Sequence, residues 1–342
     1  MISSKLAIKL WGSIVDQGIG KLFKPLQMKR EGITNIELKR IRMLVLAQTE
    51  RDVEDIKKGE KVVLLDEISN PKVVSSFDPS KISYDGKVEP VIDISSLMLS
   101  ARNDLYANEI QKEINIARSL IVAESVLSED YSEPSEDQIE KDWLGRWRDN
   151  AATTSSEELQ ELWGRVLAGE VKNPGKYSLR TLDFIRNLTQ REAISLQKLF
   201  SFELADGIIT PVINRPVDHP IAKELNYPFI AEMRYLGVID NSDSRINISS
   251  MTPDYFAAII SYDGNKKGIG ITNDNKDKTV FFNICSLTPL GVELKSLCNS
   301  TIDSRQLDFV VETLKQQEFN VYLGDIVIED DNTILLKNQM KQ

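Results

Sequence analysis

Apolar residues recur at steps of three and four through most of the chain, and the places where that rhythm stops divide it into elements. Near the start, Ile8, Trp11, Val15, Ile19, Leu22, Phe23 and Leu26 form one helical stripe, and Leu6, Leu10 and Ile14 a second on the opposite side. Pro25 ends or kinks this segment. Residues 33–58 also read as helix. KVVLLDEI (61–68) and VEPVIDI (88–94) then bracket a turn-rich stretch, which predicts a β-containing insertion or exposed loop. Leu97, Ala101, Leu105, Ile110, Ile114, Ala117 and Ile121 predict a long helix reaching about Leu127.

After the acidic linker SEDYSEPSED (128–137), three pairs have capping-box spacing: Ser135 with Gln138, Ser155 with Glu158 and Thr189 with Glu192. Each predicts a helix start. Ile139, Trp143 and Trp147 line the first helix; Leu159, Leu162, Trp163, Val166 and Leu167 line the second, with Gly169 placed to close it in a left-handed turn. Asn173-Pro174-Gly175 reverses the chain, and Ser178 caps a helix carrying Leu179, Leu182, Ile185 and Leu188.

From Ile221 the pattern predicts a helix ending in YLGVID, a short helix begun by Thr252-Pro253, and a hairpin of GIGIT and VFFNICSLT about the tip NDNKDK. A helix opened by Thr288-Pro289 follows. Helix, short helix, hairpin and helix together resemble a winged-helix module. Leu307, Val310, Val311 and Leu314 mark another helix, and NVYLGDIVIE with TILLK a terminal hairpin.

The fold class expected is α+β, mainly helical: a helical bundle core, then a winged-helix-like module, then a C-terminal helix plus hairpin. The divisions are 1–57 (N-terminal amphipathic helical segment), 58–94 (insertion), 95–205 (helical core), 206–300 (winged-helix-like module) and 301–342.

Charge changes this picture at one end. The formal charge is −10, yet residues 1–30 hold Lys5, Lys9, Lys21, Lys24, Lys29 and Arg30 against Asp16, a net +5 that leaves −15 for the rest. Contact of the first helix with anionic lipid, through Lys9, Trp11, Lys21 and Phe23, is therefore one reading. The favoured one is packing against its own chain or a second subunit, because the helix has two apolar lines and three weakening glycines, Gly12, Gly18 and Gly20. Cys285 and Cys298, outside any CxxC pair and without a signal-peptide pattern, indicate reduced thiols in the cytoplasm, at most peripheral at the inner membrane.

The chain offers no evident catalytic constellation, and no cofactor or metal is expected. Gly18-Ile19-Gly20 lacks the third glycine and the βαβ context of a phosphate loop. His219, the single histidine, reads as a solvated loop residue, and zinc would need further ligands. Glu161 and Arg165 make an exposed i, i+4 pair. Arg180 either binds Glu170 internally, the favoured reading, or receives an anionic ligand. Trp143, Trp147 and Trp163 at helical spacing read as core. Lys266, Lys267, Lys276 and Lys278 could touch phosphate as a wing does, but Asp274 and Asp277 dilute them, which favours protein docking over nucleic acid.

DWLGRWRDNA, ELQELWGRVLAGE and NPGKYSLRTLDFIRNLT, together spanning 142–189, resemble a bacterial family known only as a domain of unknown function; IGKLFKPLQMKRE and QKEINIARSLIVAE look like its N-terminal segment and central helix. The resemblance attaches to Trp163, Arg165, Gly169, Glu170, Pro174, Gly175, Ser178 and Arg180, most of which structural need already explains, as a buried anchor, a C-cap, a turn and an N-cap. The same pattern is similar to the abortive-infection Abi-alpha proteins. That similarity implies a place in anti-phage defence; together with the helical bundle and the lack of a catalytic constellation, the expectation is a non-enzymatic interaction component, regulator or effector, with a protein partner or itself as a homo-oligomer. A membrane-acting effector and a winged-helix nucleic-acid-binding regulator are the alternatives.

Overall fold

The computed structural model describes residues 4–16, 18–19, 35–66, 70–75, 94–204, 208–209, 220–242, 244–263, 266–298, 300–328 and 334–342. The chain divides into two compact units, Met1–Leu182 and Asp183–Gln342.

The first unit is built on one long helix. Its elements are α1 (Lys5–Asp16), α2 (Asn35–Lys57), the hairpin β1 (Lys61–Asp66) and β2 (Asn70–Ser75), α3 (Ile94–Ser128), α4 (Lys141–Thr153), α5 (Glu157–Lys172) and the start of α6 (Leu179–Arg186). α3 has 35 residues, about 50 Å of helix, and α1, α2, α4 and α5 all pack against it. Leu6, Leu10 and Ile14 from α1, Val53 and Ile56 from α2, Ile114, Ala117 and Leu120 from α3, and Val166 and Leu167 from α5 are buried together with Trp143, Trp147 and Trp163. Each of these indoles donates inward: Trp143 to the Tyr177 carbonyl at 2.7 Å, Trp147 to the Trp163 carbonyl at 2.9 Å, and Trp163 to the Thr154 hydroxyl at 3.1 Å. Their polar edges are satisfied inside the bundle, as buried indoles require.

Several local expectations are corrected here. Ser135 does not cap α4, which begins six residues later behind Glu140; its hydroxyl instead accepts the Asp137 N–H at 3.1 Å, a turn competing with the cap. The cap of α5 is Ser156 rather than Ser155. Gly169 does not end α5, which runs on to Lys172; the left-handed glycine is Gly175, with φ 83°. α3 forms as expected, but Ala101 and Leu105 of its predicted face are exposed. VEPVIDI lies outside the described residues except for Ile94.

The second unit holds α7 (Gln190–Phe200), β3 (Glu203–Leu204), β4 (Ile208–Ile209), α8 (Pro220–Glu224), α9 (Tyr227–Tyr235), β5 (Ser244–Ile248), β6 (Phe256–Tyr262), β7 (Lys267–Asn273), β8 (Val280–Ser286), α10 (Pro289–Lys295), α11 (Ser304–Gln316), β9 (Asn320–Ile328) and β10 (Ile334–Lys341). Its strands form two four-stranded antiparallel sheets, ordered β10-β9-β7-β6 and β3-β4-β8-β5. The Thr189–Glu192 capping box, the Thr288 cap and the terminal β9–β10 hairpin form as the sequence predicts.

The winged-helix arrangement does not form. GIGIT and VFFNICSLT are strands β7 and β8, but they belong to different sheets. Gly268 and Gly270 leave β7 flat enough for Leu336 to lie over it; a Cβ at either glycine would meet that side chain at 2.9 or 2.8 Å. Both edges of β7 are occupied, by β6 and β9. The predicted short helix after Thr252-Pro253 is instead β6, where Phe256, Ala258, Ile260 and Tyr262 alternate inward; the two-residue period overrides the helix-start signal.

Candidate functional site

In the first unit a valley of about 570 Å³ opens along α3, between α2 and α5. Ile121, Val122, Ser125 and Val126 form its floor, Met43, Leu46 and Ala47 one wall, and Gln160, Glu161 and Arg165 the other, with Glu50, Arg118 and Glu157 at one end.

Two local devices give it this shape. On the α5 side, Gly164 lets the helices approach closely: a Cβ there would lie 2.5 Å from the Val122 Cβ and 2.7 Å from the Ser119 carbonyl oxygen. On the α2 side, two ion pairs two turns apart pin α2 to α3. Arg42 pairs with Glu124, and Glu50 pairs with Arg118 at 2.7 Å. Glu124 also accepts the Trp11 indole N–H at 2.9 Å, while the Arg42 guanidinium sits 4.3 Å from the Trp11 ring centroid. One carboxylate thus joins α1, α2 and α3.

The charged end of the valley is neutralised internally. Arg118 reaches Glu50 through Nε (3.0 Å) and Nη2 (2.7 Å), and it donates to the Gln160 side-chain oxygen Oε1 at 3.3 Å. Gln160 in turn donates to Asn115 at 3.2 Å and to the Thr154 carbonyl at 2.9 Å, and Asn115 to the Ala152 carbonyl at 2.8 Å. Arg165 is held by Glu161 at 2.7 Å. The lining contains no histidine, cysteine or tyrosine. Among the described residues no group of three or more His, Cys, Asp or Glu is placed to hold a metal ion.

A second hollow, about 400 Å³, adjoins the Pro174-Gly175 turn and is lined in part by Asp137, Glu140, Glu170, Tyr177 and Ser178. Glu170 is not presented to it as a free acid. Its carboxylate accepts the Gly175 N–H at 2.6 Å and the Tyr177 N–H at 3.0 Å and is buried, so it clamps the turn between α5 and α6. Arg180 is exposed and makes no hydrogen bond or ion pair among the described residues. The expected Glu170–Arg180 pairing is therefore corrected: the Glu170 carboxylate accepts from backbone N–H groups instead of pairing with the Arg180 guanidinium.

The remaining motif residues are structural in the same sense. Trp163 is in the core, Gly169 faces Tyr177 so closely that a Cβ would lie 2.6 Å from the ring, Gly175 supplies the left-handed turn residue beside Pro174, and the Ser178 hydroxyl accepts the Thr181 N–H at 3.3 Å. Arg165 alone of the motif lines the valley.

The described members of the two candidate contact surfaces are engaged within the chain or set apart. Trp11 is only 2% exposed, and Lys9 donates to the Ser135 carbonyl at 2.9 Å while Lys5 pairs with Glu133 at 2.6 Å. The basic residues of α1 thus hold the acidic linker, and it is the Leu6/Leu10/Ile14 line, with Trp11, that packs inward, leaving Ile8 and Val15 exposed. Lys21, Phe23, Gly20 and His219 lie outside the described residues. Lys266 and Lys267 stand at one end of β7 and Lys276 and Lys278 beyond the other, about 20 Å away by strand rise, so they form no common tip. Lys278 is also engaged, with Glu318 at 3.1 Å and over the Phe319 ring at 5.0 Å.

Sequence reasoning missed the valley's Glu50, Arg118, Gln160 and Met43. The signal available was spacing: α2 and α3 each present residues at i, i+3/i+4 and i+7 toward it (43, 46, 47, 50; 118, 121, 122, 125).

Among the described residues no helix is long and apolar enough to cross a membrane. No curated protein and no solved structure matches the chain. Residues 99–207, which contain the valley's floor, its α5 wall and the Glu170 turn, match the family model described as Protein of unknown function (DUF2806).

Proposed function

We propose that this chain is a non-enzymatic protein-interaction component, a regulator or effector, that receives an α-helix of a partner protein in the valley between α2, α3 and α5. One observation carries the reading. α2 turns Met43, Leu46 and Ala47, and α3 turns Ile121, Val122 and Val126, toward an open space of about 570 Å³, while the arginines beside it are already paired with Glu50 and Glu161. An apolar slot walled by parallel rows at helical spacing fits the i, i+3/i+4, i+7 face of an amphipathic helix. Small charged substrates gain little from arginines that are paired.

The setting we propose is anti-phage defence, and its support is the sequence resemblance to abortive-infection proteins. Unchanged phage plating after deletion from the native host removes that setting.

The docking itself is tested separately. A photo-crosslinking residue at Ala47 should form adducts with a partner segment whose apolar residues repeat at helical spacing, and Val126→Glu should abolish them while leaving the circular dichroism unchanged. Val126 is 43% exposed, so the added charge need not disturb the core. Adducts that persist in Val126→Glu, or that are equally abundant from a crosslinker at exposed Arg180, reject the valley as the docking site.

A further inference from the structure

The outward line of α3 runs beyond the bundle that covers its continuation. From Ile114 onward the continuation of this line is buried by neighbouring helices, with Ile116, Leu120, Ala123 and Leu127 almost inaccessible. At the N-terminal end Met98, Ala101, Arg102, Leu105 and Glu109 are all exposed, Met98 by 67% and Leu105 by 59%. The 4-3-4 spacing of Met98, Arg102, Leu105 and Glu109 places them on one line, the seam spacing of two paired helices. This line is separate from the valley: the twenty residues from Met98 to Arg118 turn the helix by about 200°.

The charges on the line favour one arrangement. Arg102 makes no ion pair or hydrogen bond among the described residues, and Glu109 uses one carboxylate oxygen for the exposed Lys112, at 2.6 Å. A parallel pairing of two copies would set arginine against arginine and glutamate against glutamate. An antiparallel pairing, with the two-fold axis between Arg102 and Leu105, sets Arg102 beside Leu105 of the second copy and one turn from Glu109 of that copy. Opposite signs then meet twice, as a self-complementary interface demands.

We infer that a second copy of this chain docks antiparallel along Met98, Arg102, Leu105 and Glu109 of α3, with reciprocal Arg102–Glu109 pairs across the two-fold axis. One helix line per copy is a small interface, so the dimer dissociates on dilution. The valley's partner plays no part in it.

Sedimentation equilibrium of the full chain over a range of micromolar concentrations tests this. The wild type should show a monomer–dimer equilibrium, Arg102→Glu should raise the dimer dissociation constant by about tenfold or more, and Arg102→Glu with Glu109→Arg should restore it. Leu105→Glu, at an exposed position, should also shift the equilibrium to monomer. A wild type that stays monomeric throughout, a dimer indifferent to Arg102→Glu, or a double exchange that remains monomeric overturns the inference.

Discussion

Arg42, 1% exposed, is paired with Glu124 across the α2–α3 contact, and this buried ion pair fixes one wall of the valley. Removing Glu124 takes away the carboxylate that balances the buried Arg42 charge. Glu124→Ala should therefore lower unfolding stability by about 3–5 kcal/mol, read from urea denaturation. Replacing both residues by Met should recover part of that loss, since no buried charge remains. Recovery stays incomplete because the Trp11 indole loses its acceptor, a cost of about 1–3 kcal/mol. Equal losses in the single and double variants would show that the pair's burial is not the cause.

Gly145 of α4 and Gly164 of α5 should respond to alanine in opposite directions. At Gly145 an added Cβ meets nothing within 4 Å, so Gly145→Ala should gain helix propensity, about 1 kcal/mol. At Gly164 it would press on the Ser119 carbonyl, a backbone atom that cannot rotate aside, so Gly164→Ala should cost about 1–3 kcal/mol by forcing α5 from α3. Thermal melts of the two variants decide this. A stabilising Gly164→Ala would mean that the helices are less closely packed than the geometry indicates.

Much of this bundle was legible because its signals are local. The three-and-four spacing of Trp143 and Trp147, the Thr189–Glu192 box and the Thr288-Pro289 start each depend on residues within one or two turns. What escaped depends on distance along the chain. Arg118 and Glu50 are 68 residues apart and Arg42 and Glu124 are 82, so neither pair has any signature in a window of sequence. Strand partners are hidden for the same reason: β7 and β8 look like a hairpin because six residues separate them, but the competition is settled by β9, some fifty residues on. Gly169 was misread because glycine serves both a left-handed cap and a close approach, and only Tyr177 on the far side of the turn distinguishes them. Ser135 had the right spacing for a cap, but a nearer N–H satisfied it.

Glu170 and Arg180 belong to the same motif yet should behave differently on substitution. Glu170→Gln keeps the shape but loses the charge that two backbone N–H groups point toward; bonds to charged groups contribute about 1.5–3 kcal/mol each, so a loss of that order is expected. Hydrogen exchange at Gly175 and Tyr177 should quicken in the same variant. Arg180→Ala should change stability by less than about 0.5 kcal/mol, as surface substitutions away from specific contacts do. If Arg180→Ala were as costly as Glu170→Gln, the two side chains would be acting as a pair.

Asp130 carries the acid sensitivity of the linker between α3 and α4. The Lys172 ammonium, helped by the hydroxyl and N–H of Ser132, holds its carboxyl at a pKa of about 2, below the ordinary 3.8. A folded-state pKa below the unfolded one means that the unfolded chain binds the proton more tightly, so stability from this contact is fully present above pH 4 and is lost as the pH falls toward 2. Both side chains are partly solvated, so the contribution is modest and screened by salt. Lys172→Met should bring the Asp130 carboxyl back toward its usual range, visible in a carbon-detected NMR titration, and should flatten the acid limb of the stability profile between pH 4 and 2. An Asp130 titration unmoved by Lys172→Met would assign the depression to Ser132, whose alanine variant leaves the N–H in place and should shift it less.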